Sequence, residues 1–80
     1  MLEKTIVLKD FEAVKNFVEI ANTKPYDIEL LSGKYVVNAK SIMGVFSLDL
    51  TKPLVMVAHT DTPSELLRQT AQFHFEQVKK

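Results

Sequence analysis

Apolar residues change their period several times along this chain, and each change marks a boundary between elements. Thr5-Ile6-Val7-Leu8 is short and β-branched, which predicts a first strand. Asp10 follows as an N-cap, and behind it Ala13, Val14, Phe17, Val18 and Ala21 form one stripe at helical period. That helix should end near Asn22, because Pro25 disfavours helical geometry in the residue before it. From Tyr26 to Leu31 the pattern alternates, with Ile28 and Leu30 on one side and Asp27 and Glu29 on the other. Ser32-Gly33 is a tight-turn signal, and Lys34 to Val37 returns as the hairpin partner.

Ser41 stands as an N-cap ahead of a second helix expected to close near Leu48-Asp49. Pro53-Leu54-Val55-Met56-Val57-Ala58 is a continuous apolar run, as expected of a central strand, with its proline at the start where a missing N–H is tolerated. Thr62-Pro63-Ser64-Glu65 reads as a helix start, with Thr62 at the N-cap, Pro63 first inside and Glu65 completing a capping box. The last helix is then predicted to carry Leu67, Ala71, His74 and Val78 along one face. The order β-α-β-β-α-β-α, with four short strands and three amphipathic helices, predicts an α+β fold: an antiparallel sheet with helices on one face.

The second helix does not fit a simple amphipathic scheme. Ile42, Met43, Val45, Phe46 and Leu48 surround most of an element barely two turns long. If Val45 and Leu48 face the core, then Ile42, Met43 and Phe46 are left outside it. Exposed Met and aromatic side chains in a cluster favour a docking surface over a buried one.

Composition narrows the function classes. Eighty residues, 46% of them hydrophobic, are enough for a single domain spanning 1–80. Ten basic residues balance ten acidic ones, which argues against a nucleic-acid footprint. There is no cysteine, so neither a disulfide framework nor a thiolate metal site is expected. His59 and His74 are too far apart to make a metal motif. No apolar run approaches the roughly 20 residues of a membrane span, and Met1-Leu2-Glu3-Lys4 does not open a signal peptide. A cytoplasmic protein without a cofactor is the expectation.

Asn38-Ala39-Lys40-Ser41-Ile42-Met43-Gly44-Val45, with Ser47-Leu48, resembles the segment around the regulatory serine of HPr, the small phosphocarrier of the bacterial sugar phosphotransferase system. The resemblance in element order covers essentially the whole chain, and its sequence-specific part runs from about Gly33 to Leu48. It implies the open-faced β-sandwich of that family, with four strands under three helices. It also implies that Ser41 is the counterpart of a serine modified by a dedicated kinase, and that Ile42, Met43 and Phe46 match the family's docking surface, with Lys40 beside them. Partners implied are proteins of the sugar phosphotransferase system, a serine kinase/phosphorylase or a transcriptional regulator of catabolite repression.

The family's phosphocarrier histidine lies in a Gly-Leu-His-Ala-Arg-Pro-like stretch at the start of the first helix. Here that place holds Lys9-Asp10-Phe11-Glu12-Ala13. No imidazole is present, and Asp10 and Glu12 put negative charge where a phosphoryl group would need positive surroundings. Asp10 is better read as a cap than as a nucleophile, since one neighbouring carboxylate is too little for a magnesium-assisted site. The sequence therefore points to a non-catalytic regulatory or adaptor module, with Asp10 and Glu12 at a degenerate carrier site. The alternatives are a phosphoryl carrier working through His59 and a purely structural module. His59 is otherwise expected to be solvated, His74 packed, and Lys40 solvated. One departure from the family pattern is Asp49, where a Gly usually ends the second helix.

Overall fold

A computed structural model gives the fold, and the structure describes residues 1–75. The elements are β1 (Leu2–Ile6), α1 (Phe11–Asn22), β2 (Ile28–Ser32), β3 (Tyr35–Asn38), α2 (Ile42–Phe46), β4 (Leu54–Ala58) and α3 (Ser64–Gln69), followed by a 3-10 turn over Ala71–Phe73. The order β-α-β-β-α-β-α is as expected, and so is the α+β architecture. The strands form one antiparallel sheet in the order β1-β4-β2-β3. Alternate residues of each strand, Ile28 and Leu30 in β2 and Leu54, Met56 and Ala58 in β4, enter one core with Val14, Phe17, Val18 and Ala21 of α1.

Both boundaries expected of the first helix, the start from the Asp10 cap and the end ahead of Pro25, hold. Asp10 accepts from the Ala13 N–H at 2.9 Å, and α1 ends at Asn22 with Thr23 as its C-cap. Phe17 is fully buried and meets Phe73 edge-on, with centroids 6.0 Å apart. In the β2–β3 hairpin, Ser32 pairs with Tyr35 across a two-residue loop. Gly33 takes φ of 58° there, the first loop position, which glycine alone adopts without strain.

Two expectations fail at the ends of the chain. The first strand is Leu2–Ile6 rather than Thr5–Leu8, because β1 is set by its pairing to β4, from Leu2 opposite Ala58 to Ile6 opposite Leu54. The last helix is short, and Leu66 rather than Leu67 is its buried residue, while Ala71 is exposed. His74 is in extended backbone opposite Ile6, not on a helix face. The chain turns back to pair with the outer edge of β1, where Val7 N–H donates to Phe73 and Phe75 N–H donates to Thr5. Those edge hydrogen bonds and the burial of Phe73 outweigh the helical continuation. Val78 lies outside the described residues.

The capping box also does not form. Pro63, not Thr62, occupies the N-cap of α3, and no side chain caps it. Thr62 instead accepts or donates within a local Thr60–Thr62 hydroxyl pair, and Glu65 reaches Lys24. The Lys24 ammonium is buried and contacts the Glu65 carboxylate at 2.6 Å, joining the exit of α1 to α3.

This pair makes stability depend on pH with a definite sign. The Lys24 hydrogen bond, and then its charge, hold the Glu65 carboxyl below its ordinary value of 4.5. A carboxyl depressed in the folded state stabilises above the unfolded value, and that contribution is lost as pH falls through the folded one. Wild type should therefore melt higher than Glu65→Gln at neutral pH, and the gap should narrow progressively as pH falls below 4.5 and through the lower folded-state value. Parallel thermal melts across that range check it; a gap independent of pH contradicts the pair's role.

Candidate functional site

The turn that leads into α2 is built before the helix begins. Asn38 accepts the Lys40 N–H through its side chain and the Ser41 N–H through its carbonyl. Asn22, at the end of α1, donates to the Lys40 carbonyl at 3.0 Å. Ser41 is thereby held in extended backbone, and its Oγ accepts from the Gly44 N–H at 3.2 Å. It is an N-cap, as read from the sequence, and it is exposed. Gly44 is close-packed in that cap: a Cβ there would stand 3.4 Å from Ser41 Oγ and 3.5 Å from Val37.

Burial divides α2 as the pattern required. Val45 is fully buried and Leu48 nearly so, while Met43 is 79% exposed and Ile42 and Phe46 expose 36% and 39%. The short helix ends at Ser47 in right-handed geometry, so its exit uses no left-handed residue. Asp49 therefore does not replace a C-cap glycine conformationally. Its carboxylate accepts from the Thr51 hydroxyl and N–H, which hold its pKa below the ordinary value.

Phe11 is the residue that sequence reasoning missed. It is 61% exposed and stacks on Phe46, with centroids 5.4 Å apart and planes 13° from parallel. The start of α1 and the end of α2 thus share one aromatic surface, next to the exposed carboxylates of Asp10 and Glu12. The available signal was a large aromatic at the first helical position, ahead of the buried stripe that begins at Val14. Its partner 35 positions further on was not legible.

Lys40 departs from expectation. Its ammonium is neither solvated nor turned to Ser41, but donates to the Lys24 carbonyl at 2.8 Å. With Lys24 itself bound to Glu65, three segments are tied behind the cap. Lys40 serves the placement of Ser41 rather than the charge in front of it.

The histidines are elsewhere. His59 lies just past β4, and its Nε2 is 2.9 Å from Glu29 Oε1. Val57 pairs with Glu29, so the residue two further on reaches it diagonally across the sheet. The imidazole thus has an acidic partner that the sequence did not reveal. His74 is half-buried beside the Thr70 hydroxyl, with Nε2 3.2 Å from Oγ1. Among the described residues no group of three or more His, Cys, Asp or Glu side chains is placed to hold a metal ion. No helix among them is long and apolar enough to cross a membrane.

No protein-family model matches the chain, and no curated protein sequence does. Solved structures do. HPr-C-His from Thermoanaerobacter tengcongensis is similar with a TM-score of 0.76 and 28% identity, over 90% of this chain and 89% of that one. The phosphocarrier protein HPr from Bacillus anthracis str. Ames is similar with a TM-score of 0.71 and 24% identity, over 91% of this chain and 96% of that one.

The capping serine supports a prediction of its own. Ser41→Ala removes the acceptor for the Gly44 N–H and should cost about 1 kcal/mol of stability, whereas Ser41→Asp should keep the cap. Urea unfolding followed by far-UV circular dichroism distinguishes the two.

Proposed function

We propose, from the premise that this chain belongs to the HPr family, that it is a regulatory or adaptor module of the sugar phosphotransferase system rather than a phosphohistidine carrier. The observation that carries the reading is the surface formed by Phe11, Ile42, Met43 and Phe46. It is apolar, and through Phe11 it reaches the helix start where the family's carriers hold their histidine. In this chain that helix start has Asp10 engaged as a cap and Glu12 beside it. A carboxylate pair there opposes an arriving phosphoryl group, while the aromatic surface still suits a protein partner.

Ser41 gives this surface a control point. Phosphorylation would place about two negative charges at the start of α2, beside Ile42 and Met43, where the backbone N–H groups tolerate them. The fold would persist, and the set of partners accepted would change. The kinds of partner are a phosphotransferase-system enzyme or a regulator of catabolite repression, with a serine kinase acting on Ser41.

Titrating isotope-labelled protein with the general phosphotransferase enzyme tests docking. Amide shifts should concentrate at Phe11 and residues 41–46; shifts confined to the opposite face of the sheet would overturn it. A second reading, phosphoryl transfer to His59, draws on the Glu29 partner that fixes one imidazole nitrogen. Incubation with phosphoenolpyruvate and the same enzyme, followed by intact mass, decides between them. No acid-labile addition is expected, and an addition abolished by His59→Ala would replace the adaptor reading. Kinase treatment should add one phosphate to wild type and none to Ser41→Ala.

A further inference from the structure

The chain has three methionines and no cysteine, so the thioether is the only kind of sulfur it offers to an oxidant. The fold treats the three unequally. Met56 lies in β4, an interior strand paired with both β1 and β2, and it is fully buried. Met1 is exposed ahead of β1 and is no part of the surface formed by Phe11, Ile42, Met43 and Phe46. Met43 is the most exposed large hydrophobic among the described residues.

The place of α2 does not depend on that side chain. The Ser41 hydroxyl caps the helix at the Gly44 N–H, and Val45 and Leu48 anchor it in the core. Phe46 is three positions after Met43, on the same side of the helix, and it stacks on Phe11. The Met43 sulfur thus belongs to an apolar surface while holding no part of the fold together.

We infer that Met43 is an oxidation site and that its sulfoxide switches this surface off. The thioether sulfur gives an electron pair to one oxygen of hydrogen peroxide. The S–O bond forms, the O–O bond breaks, and the departing hydroxide takes the remaining proton from the new S–OH and leaves as water. Sulfur loses two electrons and the peroxide gains two. The product carries a polar oxygen where a soft apolar tip stood. In free protein that oxygen is hydrated. Against an apolar partner it gives up water and gains no donor, so docking bears the cost and folding does not. At Met56 the same reaction requires the sheet to open first, which makes the buried thioether slow. Sulfoxide reductases undo the change, so it is a second reversible control beside Ser41.

This switch rests on the docking reading proposed above, and one experiment separates the two. The full chain is treated with hydrogen peroxide, the peroxide is removed, and peptide masses follow each methionine. Met43 should gain an oxygen about tenfold or more faster than Met56. Calorimetric titration with the general phosphotransferase enzyme should then show affinity lowered about tenfold or more, with the far-UV circular dichroism unchanged. The two epimer-specific sulfoxide reductases should restore it. Met1→Leu should lose affinity on treatment as wild type does, whereas the affinity of Met43→Leu, whatever its starting value, should not respond. Untreated wild type that does not bind removes the docking reading and the switch together. Binding that survives complete oxidation of Met43 overturns the switch alone. So does a loss on treatment that Met43→Leu shares, or oxidation of Met56 as fast as that of Met43.

Discussion

Phe17→Ala should come close to unfolding this domain. Phe17 is fully buried, and its ring meets Phe73 of the returning C-terminal segment edge-on within the core. Truncating a buried Phe to Ala costs about 3–5 kcal/mol, the lost transfer energy plus that of the cavity. A folded domain has about 0.05–0.15 kcal/mol of stability per residue, or roughly 4–12 kcal/mol for a chain of this length. The variant should thus lose about a quarter or more of its stability, read as a shifted urea midpoint in far-UV circular dichroism. The exposed Met43→Ala should shift it by less than about 0.5 kcal/mol. Equal effects for the two substitutions would mean that the core has been placed wrongly. Because Phe75 N–H and Val7 N–H are bonded across the same edge, the Phe17 variant should also lose amide protection there first.

Met43→Glu should leave the fold alone and remove the partner. The side chain projects from α2 at 79% exposure, so the substitution adds charge without making a cavity. Central apolar residues of an interface cost about 2 kcal/mol or more when lost, roughly thirtyfold in affinity. A charge buried against an apolar partner adds desolvation to that. Calorimetric titration with the general phosphotransferase enzyme should show the loss, while the melting temperature stays at the wild-type value. Unchanged affinity would remove Met43 from the docking surface, and with it the main support for the adaptor reading. Phe46→Ala should weaken binding as well, but it also uncouples the stack on Phe11, so Met43 is the cleaner probe.

Much of the site was legible in residue order alone because capping and period are local. Asp10 and Ser41 cap the helices they precede, and in α2 the sorting of Val45 and Leu48 inward from Ile42, Met43 and Phe46 followed from how few positions a short helix can bury. The likeness of residues 38–48 to a known family extended the reading to the fold, whose architecture the solved structures share. What failed depended on partners distant along the chain. The box expected of Thr62 and Glu65 lost its carboxylate to Lys24, 41 residues earlier, and Lys40 turned to the Lys24 carbonyl.

The amino-acid sequence by itself determined where the interior helices start, which face of α1 is buried, and that the first helix opens on carboxylates rather than imidazole. Each of these rests on neighbours within a turn or two, where backbone geometry alone brings groups together. Only the tertiary structure decided that Phe11 stacks on Phe46, that His59 meets Glu29, and that the last helix gives way to an edge segment beside β1. Those contacts join residues tens of positions apart. Their energies arise from packing and hydrogen bonds that exist only once the sheet has set the register.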